Sequence, residues 1–177
     1  MRIGIDISQL AFANTGVANY LFNLVAQLVE NKENEFVLFY SSLRRNIPQD
    51  VIELTHHQNV TLKTVKIPPI ALDVMWNKFH KVSIETFTGP LDLFITSDWT
   101  EPPTKKAKKA TILYDLIVYK YPHETAEKIV AVQKRKLEWV KKETDVIFCI
   151  SDATKKDAME LGFNNEKIKV IYPGLTM

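Results

Sequence analysis

Glycine is scarce in this 177-residue chain, with five residues at positions 4, 16, 89, 162 and 174. Neither the G-x-G-x-x-G fingerprint nor a Walker A loop can be written with that set, so dinucleotide oxidoreductase and P-loop NTPase chemistry are excluded. Cysteine is scarcer still. The one thiol, Cys149, lies in the apolar run Val146–Ile150, which excludes an internal disulfide framework and points to a reducing compartment, the cytosol. Four histidines at 56, 57, 80 and 123 offer no zinc-ligand spacing beside a single cysteine. No D-x-D occurs, so the paired carboxylates that would hold a divalent metal on a nucleotide's phosphates are missing and no metal is expected. No apolar stretch approaches the roughly 18 residues of a membrane-spanning helix, and Asp6 interrupts the first apolar residues, so no secretory signal is read. The formal charge of +2 gives no whole-molecule argument for nucleic acid.

What the chain does have is a core's worth of apolar residues, 46% of the sequence, arranged in alternating periods. Ile3, Ile5 and Ile7 alternate with Gly4, Asp6 and Ser8, a strand that leaves Asp6 near its carboxyl end. Val17, Tyr20, Leu21, Leu24, Val25 and Leu28 then recur at the spacing of one helix face. Phe36–Tyr40 is continuously apolar, as in a parallel strand covered on both faces, and Val60–Val65 reads as a third strand. The spacing of Val74, Met75, Trp76 and Phe79 suggests a helix over 72–87. Short apolar runs at 93–96, 111–114, 146–150 and 169–171 alternate with helical patterns, the signature of right-handed crossover units. One of these helices carries Ala126, Ile129, Val130, Leu137 and Val140 on one face and Lys128, Lys134, Arg135, Lys141 and Lys142 on another. Ser151 caps the next helix, over 152–161, and Gly162 stops it. With no repeat and no long linker, residues 1–177 read as one Rossmann-like α/β domain: a doubly wound, mostly parallel sheet with helices on both faces.

Ligands of such sheets bind outside the carboxyl ends of the strands, where strand order reverses. Gly16 would stand in the turn before the first helix, either opening its free N–H groups to an anion or merely supplying a positive φ. Asp115, directly after a strand with Tyr114, could orient or deprotonate a hydroxyl, or simply cap a turn. Asp98, Glu101 and Glu124 occupy post-strand loops and could equally be solvated. Residues 101–142 hold eleven Lys or Arg against five Asp or Glu, which the overall charge conceals. Within them Lys105, Lys106, Lys108 and Lys109, with Lys134 and Arg135 on the basic helix, form a candidate surface for anionic lipid head groups or a phosphorylated acceptor. An ordinary solvated face is the plainer reading. No aromatic platform interleaves these cations, so no nucleic-acid partner is expected.

Five segments in chain order resemble the amino-terminal half of family-four, GT-B-fold glycosyltransferases: Arg2–Asp6; Thr15–Tyr20; Thr111–Leu116 with Tyr121–Glu124; Val146–Asp157; and Lys169–Gly174. The run Ile150-Ser151-Asp152-Ala153-Thr154-Lys155-Lys156-Asp157, followed by Val170-Ile171-Tyr172-Pro173-Gly174, is the most specific of them. The resemblance implies a metal-independent, retaining transferase that moves a sugar from a nucleotide-sugar co-substrate to an acceptor hydroxyl of a glycan, lipid or other envelope acceptor, with no resident cofactor. It also implies that this chain is the acceptor-side half. The donor half of the family carries two glutamates eight positions apart, which no pair here matches, and the chain stops at Leu175-Thr176-Met177. A separate donor-binding domain would then be needed for turnover.

Carried onto this sequence, Gly16, Val17 and Asn19 would line the sugar-phosphate loop, Tyr114 and Asp115 the catalytic mouth, and Asp98, Glu124 and Ser151 its walls. Two departures stand out: Ala18 and Asn19 replace a second glycine and an arginine, and Tyr114 replaces a histidine. A phenol with an ordinary pKa near 10 donates a hydrogen bond but does not carry protons near pH 7 as imidazole does. The alternative is a non-catalytic α/β module that binds an anion, a membrane surface or a protein through the lysine-rich face. Both readings place the chain in the cytosol, peripheral to the inner face of the membrane where the lysines engage it.

Overall fold

The computed structural model describes residues 1–12, 15–97 and 99–174. Seven strands form one sheet: β1 (Arg2–Asp6), β2 (Glu35–Ser41), β3 (Val60–Val65), β4 (Leu93–Thr96), β5 (Lys108–Leu113), β6 (Val146–Cys149) and β7 (Ile168–Val170). Their spatial order is β3-β2-β1-β4-β5-β6-β7, and every pairing is parallel. The order reverses between β1 and β4, so the two halves of the sheet wind outward from that point. Each apolar run expected to be a strand is one. β2 shows why such runs look continuous. Phe36, Leu38 and Tyr40 enter the core on one face of the sheet, while Val37 and Phe39 enter a second core on the other. β5 begins at Lys108, three residues before the apolar run that marked it.

Helix α1 (Gly16–Leu28) buries Ala18, Leu21 and Val25, and α7 (Asp152–Glu160) buries Thr154 and Ala158. The expected caps are in place. Ser151 Oγ accepts from Thr154 N at 3.1 Å, and Gly162, at φ 82°, follows the end of the helix. Helix α6 (Glu127–Glu143) packs Leu137 and Val140 into a third cluster with Ile147 and Ala158. Short helices α2 (Gln49–Leu54), α3 (Pro69–Leu72), α4 (Glu85–Thr88) and α5 (Ile117–Lys120) complete the layers.

The single helix expected over 72–87 is not formed. α3 passes instead into a π-helical turn over Asp73–Lys78, and the backbone then takes positive φ at His80 (50°) and Val82 (63°) before α4. A branched residue such as Val82 is strained there, and the surroundings hold it. Trp76 Nε1 donates to Val82 O at 2.8 Å, and the His80 ring stacks on Trp139 with centroids 3.7 Å apart. Glycine is obligatory at one strand position. A Cβ on Gly4 would stand 2.6 Å from Leu91 Cδ1 and 2.7 Å from Phe94 Cδ2. Among the described residues no helix is long and apolar enough to cross a membrane.

Candidate functional site

Because all seven strands run the same way, their carboxyl ends share one edge of the molecule, and the side chains that follow them meet there. Tyr114, just past β5, lies with its OH 3.1 Å from Ser97 Oγ, just past β4. Its ring meets that of Tyr20 on α1 edge-on at 5.6 Å between centroids. Its carbonyl accepts from Thr154 Oγ1 at 3.1 Å, and Thr154 in turn contacts Ser151 Oγ at 3.0 Å. Tyr20 OH donates to Ile171 O at 3.3 Å, beyond the end of β7. The first turns of α1 and α7 and the end of β5 are therefore joined at one mouth, although their residues are far apart in the chain.

At that mouth Thr15 Oγ1 caps α1, accepting from Ala18 N at 3.2 Å. Gly16 follows at the exposed head of the helix, without positive φ, and a Cβ there would meet nothing within 4 Å. The positive-φ explanation for Gly16 thus falls. Val17 is half-buried and Asn19 exposed on the same turn. Asp115 is exposed, and its Oδ1 accepts from Ile117 N at 3.1 Å, the turn-capping role. Glu124 is exposed in the 3-10 turn before α6. Asp98 lies outside the described residues.

The basic surface requires correction. Lys105, Lys106 and Lys108 are exposed, but they precede or open β5, at the amino-terminal edge of the sheet, opposite the mouth. Lys109 is not on the surface at all. It is 3% exposed, with Nζ 3.1 Å from Glu101 Oε1 and 3.1 Å from Glu143 Oε2. Side chains alternate along a strand, so Lys108 points out and Lys109 in. Arg135 is held by Asp73 at 2.5 Å, while Lys134 stays exposed with Nζ 5.3 Å from the centre of the Tyr119 ring. Glu101, open to solvation on sequence grounds, is fully buried and accepts from Thr96 Oγ1 at 2.7 Å and Thr111 Oγ1 at 3.3 Å.

Beside the mouth is a cavity of about 290 Å³ at the carboxyl ends of β1, β2 and β4, lined among others by Asp6, Ser8, Gln9, Arg44, Arg45 and Trp99. It sits against the point where strand order reverses. Asp6 forms part of it at 5% exposure. Burial pushes its carboxyl above the usual range, opposed by hydrogen bonds from Ser8 and by the nearby Lys136 ammonium. Lys136, 1% exposed, reaches across from α6 to donate to Ser97 O at 2.5 Å. Sequence reasoning assigned none of the cavity's arginines, nor Lys136. One signal was there for Lys136: it stands four residues before Val140, on the buried face of α6.

A sequence model of glycosyltransferase family 4 matches residues 14–176. This chain belongs to that family. Its fold is similar to crystal structures of Anabaena HepE. With UDP and glucose bound, that protein superposes at a TM-score of 0.55 with 15% identity, over 99% of this chain and 45% of HepE. With UDP-glucose bound the values are 0.55 and 14%, over 99% and 44%. The family-4 chain thus spans less than half the length of the solved structures it matches. A search of curated proteins finds no match.

Proposed function

We propose that this family-4 chain is the acceptor-side half of a retaining, metal-independent hexosyltransferase that moves a sugar from a nucleotide-sugar to an acceptor hydroxyl, and that turnover requires a donor-binding half. The observation that carries the reading is the meeting of the α1 head, Tyr114 and the α7 cap at one mouth beside the cavity. The bound UDP, glucose and UDP-glucose of HepE support a nucleotide-sugar donor and a hexose.

In this reading the open space over Gly16 admits a phosphate to the N–H groups of α1's first turn, where the helix dipole favours an anion by about 0.3 to 1 kcal/mol. Val17 and Asn19 flank that approach. Tyr114, anchored by Ser97, offers its phenol as a hydrogen-bond donor or acceptor to a sugar or phosphate oxygen. The exposed Asp115 carboxylate receives the acceptor's hydroxyl, with Glu124 and Ser151 completing the walls of the mouth. Proton movement in this reading falls to Asp115 or to the substrates' own phosphate oxygens.

The test is nucleotide release from UDP-glucose by the product of the natural reading frame, with Gly16→Trp alongside. A Cβ at that position meets nothing within 4 Å and the backbone has no positive φ, so the variant adds bulk at the approach without a backbone clash. Release lost in the variant supports the reading, and unchanged release refutes it. The exposed Lys105, Lys106 and Lys108, on the edge away from the mouth, favour a second role as a cytoplasmic docking face for anionic membrane, independent of transfer. Flotation with anionic liposomes should then weaken as salt rises.

A further inference from the structure

The cavity beside the mouth is built unlike a sugar site. Its floor carries polar residues, but most of these are turned toward neighbouring protein groups. Asp6 Oδ1 accepts from Ser8 N at 2.9 Å, Ser8 Oγ accepts from Ser41 N at 2.9 Å, and Ser41 Oγ donates to Ile67 O at 2.8 Å. Gln9 Oε1 accepts from Trp99 Nε1 at 2.7 Å, and Ser97 Oγ is engaged by Tyr114. What the walls offer an occupant is the hydrocarbon of Phe12, Leu43, Pro68, Leu72 and Trp99. A hexose placed there would bury several hydroxyls without partners, which is costly, whereas an alkyl, prenyl or aryl group would lose nothing and gain the burial.

Among the described residues the exposed charges at the cavity have one sign. Arg44 and Arg45 both line it and are both exposed. Arg45 is steadied by donating to Ala11 O at 2.8 Å and by lying 4.6 Å from the centre of the Phe12 ring, while Arg44 makes no ion pair among the described residues. Among the described residues the one carboxyl in the lining is Asp6, which is 5% exposed and lies on the floor.

We propose that the acceptor is an anionic amphiphile, with an apolar group seated in this cavity and a phosphate or carboxylate held at Arg44 and Arg45. The proposal rests on the transferase reading for the word acceptor, but its ligand chemistry is read from the cavity alone. It places the substrate hydroxyl at the mouth by anchoring the part of the molecule that does not react, so that the bound apolar group supplies orientation.

The experiment is calorimetric titration of the chain with butyl, hexyl and octyl phosphate below micelle-forming concentrations, with octanoate, octyl glucoside and glucose 6-phosphate beside them. Affinity should rise by up to about fourfold per methylene. It should fall in Arg44→Ala for the phosphates and octanoate but not for octyl glucoside. Leu43→Asp, at a side chain 51% exposed and so tolerated by the fold, should abolish the chain-length dependence, whereas Ile52→Asp, exposed on α2, should not. The alkyl phosphate and octanoate arms report which anion is preferred. Affinity flat with chain length, glucose 6-phosphate binding as well as octyl phosphate, no binding by any probe, or equal loss in Leu43→Asp and Ile52→Asp would each overturn the proposal. None of these touches the transferase reading, which stands or falls on nucleotide release. Failed release with chain-length-dependent binding intact would remove transfer and leave the amphiphile site.

Discussion

Lys109 Nζ and Glu101 Oε1 lie 3.1 Å apart, with side chains 4% and 0% exposed. The pair sits beneath β4 and β5, with Thr96, Thr111 and Thr144 bonded to the carboxylate and Glu143 sharing the ammonium. Removing one member leaves the other buried and uncompensated. Lys109→Met should therefore cost about 3 to 5 kcal/mol in denaturant unfolding, and adding Glu101→Gln should recover part of that loss. A cost under about 1 kcal/mol for the single variant would mean that the pair is not buried as described.

Acid stability should depend on Glu143. Burial works against its charge, but the hydrogen bond from His80 at 2.9 Å and the Lys109 ammonium outweigh it and hold the carboxyl below its ordinary 4.5. A carboxyl with a lowered folded pKa contributes stability above the unfolded value and loses it as pH falls through the folded one. Thermal melts should show the wild type losing stability below pH 4.5 more steeply than Glu143→Gln, with the two curves converging in strong acid. Parallel curves would contradict the shift.

Two glycines should respond in opposite ways to alanine. At Gly4 the new methyl collides with Leu91 and Phe94 in the core, and overpacking of this kind costs about 1 to 3 kcal/mol. At Gly16 it enters open space without positive φ, so the change should stay within about 0.5 kcal/mol of the wild type. Paired denaturant titrations decide both, and a destabilised Gly16→Ala would mean that the mouth is closed.

Cys149 should be chemically silent in the folded protein. It is fully buried between β5 and β7, and burial pushes its thiol to about 11. A disulfide-exchange reagent at pH 8 should label it only in denaturant, because the thiolate fraction and access are both lacking in the native state. Rapid native labelling would place the thiol at the surface.

Much of the fold is legible without coordinates because periodicity is local. The alternation of Ile3, Ile5 and Ile7, the continuous Phe36–Tyr40 and the Ser151 cap each settle their own element within a few residues. The helix expected over 72–87 shows the limit. Its apolar spacing is helical, but Trp76 and Trp139 hold His80 and Val82 in backbone conformations that end it, and Trp139 comes from elsewhere in the chain. The lysine cluster shows the same limit in charge. Nothing near Lys109 in sequence announces Glu101 and Glu143 as its partners, since strand register and the packing of α6 bring them together.

The amino-acid order by itself determined the parallel α/β architecture, the family and the residues that follow the carboxyl ends of the strands, because parallel strands put every carboxyl end on one side. Only the folded chain decided which cations face water, which carboxyls are buried and what kind of surface the cavity offers. Those properties depend on distances between segments far apart along the backbone, and solvation and Coulomb energies are set by that proximity.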